Sequence, residues 1–110
     1  MHYAQIFTYH IDLPSKAEHL TDFVDPYAEH ISRINWLKSK VWMADFDNRF
    51  ASFYLWENKE AMDAFMQSGI SKGLGQIPFV KNLSIVDYPV VKQATRITKG
   101  IWVLRIEYFF

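Results

Sequence analysis

Four histidines, His2, His10, His19 and His30, are the first side chains in this sequence able to move a proton near neutral pH. None forms the paired His-x-His or His-Glu-x-x-His spacing of a metal site. His19 and His30 stand eleven residues apart, about three helical turns, so no single ion bridges them. With no cysteine in the chain, thiolate metal sites, cysteine nucleophiles and disulfide scaffolds are excluded as well. The sequence predicts neither a metal nor another cofactor. His10 is the candidate base, because it ends an extended segment beside Asp12. Trp42, Tyr54 and Trp56 fall on neighbouring strand-like segments and make a candidate aromatic wall for a flat apolar ligand. The Tyr54 hydroxyl would orient that ligand, and packing at a subunit interface is the competing reading. Gly69-x-x-x-Gly73-x-Gly75 lacks the Gly-Lys-Ser/Thr ending of a phosphate loop and reads as a flexible turn, a candidate lid. Lys38 and Lys40 alternate with aromatic residues, but no other basic cluster supports nucleic-acid binding.

Those side chains need a scaffold, and the chain is long enough for one domain of 110 residues. Twelve basic and twelve acidic residues cancel. No apolar run approaches the ~18 residues of a membrane span, and Met1-His2-Tyr3-Ala4-Gln5 has no signal-peptide character, so a cytoplasmic protein without membrane partners is expected. Nine Phe, six Tyr and four Trp exceed what so small a core encloses, so some rings should line a cavity or an interface.

Tyr3 to Ile11 is rich in aromatic and β-branched residues and reads as a strand that is apolar on both faces. Leu20, Val24, Tyr27, Ile31 and Ile34 recur at spacings of 4, 3, 4 and 3, which predicts a helix over 15–34. Asp25-Pro26 should kink or restart it. Glu18, Asp22, Asp25 and Glu29 form its solvated stripe. Leu37–Ala44 and Phe50–Trp56 flank the turn chemistry of Asp45-Phe46-Asp47-Asn48 and predict a hairpin. Asn58 should cap a helix from Lys59 to about Ser68, and Val80–Tyr88 is a fourth strand. The order β-α-β-β-α-β is that of the ferredoxin-like α+β fold, a four-stranded antiparallel sheet with both helices on one face. The other face would then be apolar and bare, which predicts a homodimer. Trp42→Ala should be severe if that ring is buried. Residues 1–88 form the domain, carrying eight basic and eleven acidic residues. Residues 89–110 form a C-terminal extension of charge +3, whose strand-prone segment 101–110 should add to its own sheet or swap to the partner's.

Three stretches carry a family resemblance. Pro26-Tyr27-Ala28-Glu29-His30-Ile31 resembles Pro-Leu-Ala-Glu-x-Ile, Lys40-Val41-Trp42 resembles Lys-Val-Trp, and Tyr54-Leu55-Trp56 resembles Tyr-Leu-Phe. These motifs belong to the small putative monooxygenases of the dimeric α+β barrel superfamily, which are antibiotic-biosynthesis-monooxygenase-like, and the likeness covers roughly residues 1–88. Asn35-Trp36-Leu37 stands where the family tends to have Pro-Gly-Phe, and Ala51-Ser52-Phe53 where it has glycines. Haem-degrading relatives need an axial histidine from the second helix region, and no histidine follows residue 30. The resemblance implies a cofactor-independent monooxygenase acting on a small aromatic or polyketide-like substrate; for its roles the sequence offers His10 and Tyr54 as catalytic residues and Trp42 and Trp56 as substrate-binding residues. A non-catalytic module for a small hydrophobic ligand, or a purely structural dimer, are the alternatives from other classes. A cavity of ~300–1,000 Å³ between sheet and helices would favour ligand binding over pure packing.

Overall fold

The computed structural model describes residues 1–100. Strand β1 (Tyr3–Ile11) leads into one helical run of three parts: α1 (Lys16–Glu18), a π-helical segment (His19–Val24) and α2 (Asp25–Ile31). The hairpin of β2 (Leu37–Ala44) and β3 (Arg49–Trp56) follows. Then come α3 (Lys59–Gln67), α4 (Gly69–Leu74), β4 (Val80–Pro89) and a short α5 (Lys92–Ile97). The strands form one antiparallel sheet in the order β2-β3-β1-β4, which is the ferredoxin-like arrangement the element order predicts.

Local chemistry explains most of the boundaries. Ser15 Oγ accepts the Glu18 N–H at 3.2 Å and starts α1. The predicted break at Pro26 takes the form of the π segment immediately before it, where the Asp25 N–H donates to Leu20 C=O. Proline has no N–H for a helical bond and its ring collides with the carbonyl four residues earlier, so widening the preceding turn relieves that crowding. Asn58 Oδ1 accepts the Ala61 N–H at 2.8 Å and starts α3. The expectation of a flexible glycine turn after α3 is corrected, because Gly69–Leu74 is helical. Ser68 caps it through the Ser71 N–H, and Ile70 and Leu74, one turn apart, pack onto the core. Those contacts outweigh the weak helix propensity of two glycines. The hairpin turn is tied by Asp45, whose carboxylate accepts the N–H groups of Asp47, Asn48 and Arg49. The strand read at 101–110 lies outside the described residues.

The register decides the two faces. Gln5, Phe7, Tyr9 and Ile11 of β1 lie opposite Tyr54, Ser52, Phe50 and the hairpin end of β3, and all are buried beneath the helices. Phe23, Ile31, Met62, Phe65 and Leu74 complete that core. The alternate residues Ile6, Val41, Met43, Val86 and Tyr88 stand exposed on the open face. In the single chain β1 is therefore covered on one side only.

Trp36 has a left-handed backbone (φ 68°) and a ring that is 66% exposed. This is the position where the resembling family tends to have glycine. A tryptophan there carries a steric cost of ~1–2 kcal/mol that glycine avoids, less the extra chain entropy glycine loses on folding. Trp36→Gly should raise stability by about 1 kcal/mol in urea unfolding. A loss of stability would show that the exposed indole makes contacts beyond its own chain segment.

Candidate functional site

The helix face of the hairpin collects the aromatic residues singled out in the sequence. Lys40, Trp42 and Ala44 of β2 oppose Tyr54, Ser52 and Phe50 of β3, so all of them point beneath the helices. Tyr54 is buried, and its ring stacks on Trp56 at 5.7 Å with 5° between the planes. Burial pushes the Tyr54 hydroxyl above its usual range. Trp56 is fully buried, and its Nε1–H donates to Gln5 Oε1 at 2.8 Å. It supports Tyr54 from behind rather than facing a cavity. Trp42 is half-buried and meets Phe23 of the π segment edge-on at 6.2 Å.

His10 is on the other side of the sheet. Its register partners are Arg49 and Lys81, and its Nδ1 accepts from Asn82 Nδ2 at 3.1 Å. Among the described residues no carboxylate lies within 4.0 Å of His10, so the approach to Asp12 expected from the sequence is not formed. It borders an open-face cavity of about 480 Å³ with Thr8, Met43, Arg49 and Asn82. The structure thus brings Trp42, Tyr54 and Trp56 together and leaves His10 apart from them. Among the described residues no group of three or more His, Asp or Glu could hold a metal ion.

Sequence reasoning missed Lys40. Its Nζ lies 3.7 Å from the centroid of the Tyr54 ring and 3.9 Å from that of Trp42. The ion pairs of the described residues, such as Lys38–Glu57 and Lys59–Asp63, leave it without a carboxylate. Burial lowers its pKa from 10.5 to about 7. The ring faces attract the ammonium form and burial disfavours it, so both forms coexist near neutral pH. The signal available in the sequence was strand parity, since Lys40 shares a face with Trp42.

Two cavities meet at this lysine's neighbours. The inner one, lined by Tyr9, Phe23, Lys40, Trp42 and Tyr54 among others, has a volume of about 10 Å³. That is room for about one water. The outer one, about 430 Å³, lies between Leu20 and Val24 of the π segment and Trp42, Phe46 and Phe50 of the hairpin. Trp42 is the wall they share, and the π segment contributes to both. Such helical irregularities are frequent at functional sites.

These groups also set the pH dependence of stability. Lys40 titrates lower in the folded chain than unfolded, so the unfolded chain binds more protons between about pH 7 and 10.5. Stability therefore rises with pH across that window. Burial raises Tyr9 to about 12, and raises Tyr27 and Tyr54 too. Above pH ~10 the unfolded chain loses those protons first, and stability falls. Melting temperature should peak at about pH 9–10 rather than in the usual ~5–8 range. A steady decline from pH 7 to 10 in a thermal series would contradict this.

Several solved structures share the architecture. The cofactor-independent oxygenase SnoaB from Streptomyces nogalater is 10% identical, with a TM-score of 0.65 over 84% of this chain and 95% of that one. A putative antibiotic biosynthesis monooxygenase from Deinococcus radiodurans is 17% identical, with a TM-score of 0.65 over 82% and 93%. The hydroxynitrile lyase of Passiflora edulis is 9% identical, with a TM-score of 0.61 over 83% and 95%. At these identities the likeness establishes the fold and not the reaction. No curated protein sequence matches the chain. The sequence model of the family described as "Putative mono-oxygenase ydhR" matches residues 6–101, nearly the whole domain just described, so the chain belongs to the ydhR family of putative mono-oxygenases.

Proposed function

We propose that this protein is a cofactor-independent monooxygenase acting on a small aromatic or polyketide-like substrate, with its chemistry on the helix face of the hairpin. The observation that carries the reading is Lys40, a lysine held between the rings of Trp42 and Tyr54 with no acid beside it. Oxygenation without a cofactor needs an electron-rich substrate anion, and so a base in an apolar site. The neutral Lys40 amine accepts a proton from a phenolic or enolic group. Trp42, which borders the outer cavity, provides a flat face for the substrate ring, and Tyr54, held by stacking on Trp56, backs Lys40. The outer cavity, about 430 Å³ and walled by apolar side chains, lies within the range of ligand sites.

The test is oxygen uptake with a panel of quinols. Lys40→Met and Tyr54→Phe should both slow it, Lys40→Met more. His10→Ala separates the two faces of the sheet: a loss as large as that of Lys40→Met would return the base to His10 and refute the helix-face site. A non-catalytic reading has its own support, because the inner cavity holds about one water and the rings around it pack as core. No uptake with any quinol, together with unchanged melting on adding them, would favour packing alone.

We also propose that two chains pair through the open faces, where Ile6, Val41, Met43, Val86 and Tyr88 are exposed together. Pairing should bury well over ~1,000 Å². Light scattering during size-exclusion chromatography should give twice the 13.0 kDa chain mass, and Val41→Lys should shift it towards one. A stable monomer at micromolar concentration would remove the dimer.

A further inference from the structure

We propose that the open-face cavity at the hairpin end of the sheet binds a small organic carboxylate, held by the Nε2–H of His10 and the guanidinium of Arg49. The site is separate from the helix-face chemistry proposed above and stands or falls without it. Three neighbouring strands meet there. His10 of β1 pairs with Arg49 of β3 on one side and with Lys81 of β4 on the other. Directly paired residues project from the same face, so the imidazole and the guanidinium rise side by side. The cavity they border measures about 480 Å³, within the ~300–1,000 Å³ of ligand sites. Met43 and Ala51 line it with apolar surface, and Thr8 adds a hydroxyl. Of the residues placed above in the pairing surface, only Met43 borders it.

The hydrogen bonds already made leave donors free. Asn82 Nδ2 can only donate, so the His10 Nδ1 it meets at 3.1 Å carries no proton and the neutral ring keeps its N–H at Nε2. Arg49 gives its Nε–H to Asp45 Oδ2 at 3.0 Å, and its two Nη groups enter no hydrogen bond among the described residues. Asp45 borders the cavity too. Its Oδ1 already accepts three backbone N–H groups and its Oδ2 the guanidinium, so the turn consumes it. The planar Nη fork and the imidazole N–H suit the two oxygens of a carboxylate. Asp12 and Asp47 border the neighbouring cavity of about 260 Å³ together with Lys81, and not this one.

Strand β4 is distorted where it delivers Asn82. Thr8 pairs with Ser84 and His10 with Lys81, so Asn82 and Leu83 together oppose the single residue Tyr9. This bulge interrupts the alternation of faces, and the consecutive Lys81 and Asn82 are both exposed. Asn82 has a left-handed backbone (φ 57°), a conformation in which glycine has the least strain. What glycine would lack is the amide that holds His10. Asn82 is therefore a positioning residue, acting on the ligand through the imidazole.

The experiment titrates the isotope-labelled full chain with sodium benzoate at neutral pH and constant ionic strength, reading the side-chain nitrogen signals by NMR. Benzoate should bind with a millimolar Kd and move the His10 Nε2 and Arg49 signals. Benzamide has the ring without the charge, and inorganic phosphate the charge without the ring. Each should bind at least ~10-fold more weakly than benzoate. Arg49→Gln and His10→Ala should each weaken benzoate by at least ~10-fold. His10 is exposed, so its truncation tests the site even if Arg49→Gln loosens the turn. Asn82→Gly keeps the left-handed backbone and frees the imidazole. It should weaken benzoate about 3-fold, the worth of one hydrogen bond, while melting stays level or rises and the His10 nitrogen signals change from one tautomer to two. Lys40→Met, on the other face, should leave benzoate binding unchanged. Absence of any shift, or full affinity in His10→Ala, removes the site. Equal affinity for phosphate overturns the assignment to a carboxylate with an apolar body. Binding lost in Lys40→Met but kept in His10→Ala moves the ligand to the helix face and also overturns the proposal.

Discussion

Lys40→Met should slow oxygen uptake by about 10²–10⁴-fold, the usual worth of a positioned base, while melting at pH 7 stays unchanged or rises. The two halves of this expectation have different causes. Methionine matches the length of the lysine stem and can lie between Trp42 and Tyr54 with favourable sulfur–ring contacts, so the packing survives. The charge that burial disfavours is removed, and with it the penalty on the folded state near neutral pH. The rise of stability between pH 7 and 10 should flatten in the same variant, because Lys40 is its source. A marked fall in melting temperature would instead show that the attraction of the ammonium to the two rings, worth ~0.5–2 kcal/mol, exceeds its desolvation, making Lys40 a structural residue.

Trp56→Ala should cost about 3–5 kcal/mol from lost packing, and more from the hydrogen bond it breaks. Trp56 is fully buried, stacked on Tyr54 and tilted against Phe65 at 5.1 Å. Its Nε1–H is the partner of Gln5 Oε1, and Gln5 Nε2 is buried without a partner among the described residues. The substitution would strand the whole amide in the core, adding about 1–3 kcal/mol. A domain stable by ~5–15 kcal/mol loses much of its margin and should melt at least ~15 °C lower. Trp42, the residue expected from the sequence to be the severe one, is only half-buried, so Trp42→Ala should cost less than Trp56→Ala. Urea titrations of both variants in one buffer decide this, and the reverse order would mean that Trp42 is covered in solution.

Much of the fold is legible without coordinates. β1 has the span its aromatic and β-branched residues predict, and β2 and β3 lie within a residue of their predicted ends. The Asn58 cap and the restart at Pro26 are where their chemistry puts them. Each of these rests on interactions within a few residues: side-chain caps, a missing N–H, a carboxylate closing a turn. The helix at Gly69–Leu74 was not legible, because the packing of Leu74 and Ile70 that sustains it comes from distant parts of the chain.

The candidate site divides in the same way. That Trp42 and Lys40 share a face follows from alternation along one strand. That Lys40 meets Tyr54, while His10 does not, follows from register between strands, with Lys40 opposite Tyr54 and His10 opposite Arg49. A shift of one residue in that pairing would exchange the faces. β1 is apolar on both sides in the sequence, so its pattern did not say which side the helices would cover. The same ambiguity hid Lys40, because a charge on a strand is ordinarily turned to water. Here the bulge between Leu37 and Ser39 and the pairing with β3 turn it under the helices, against rings supplied by both strands. The order of elements, their caps and the residues available for chemistry depend on neighbours along the chain, and so can be read from residue types alone. That Lys40, and not His10, lies against Trp42 and Tyr54 is set by long-range pairing, which fixes the side of each strand that is buried.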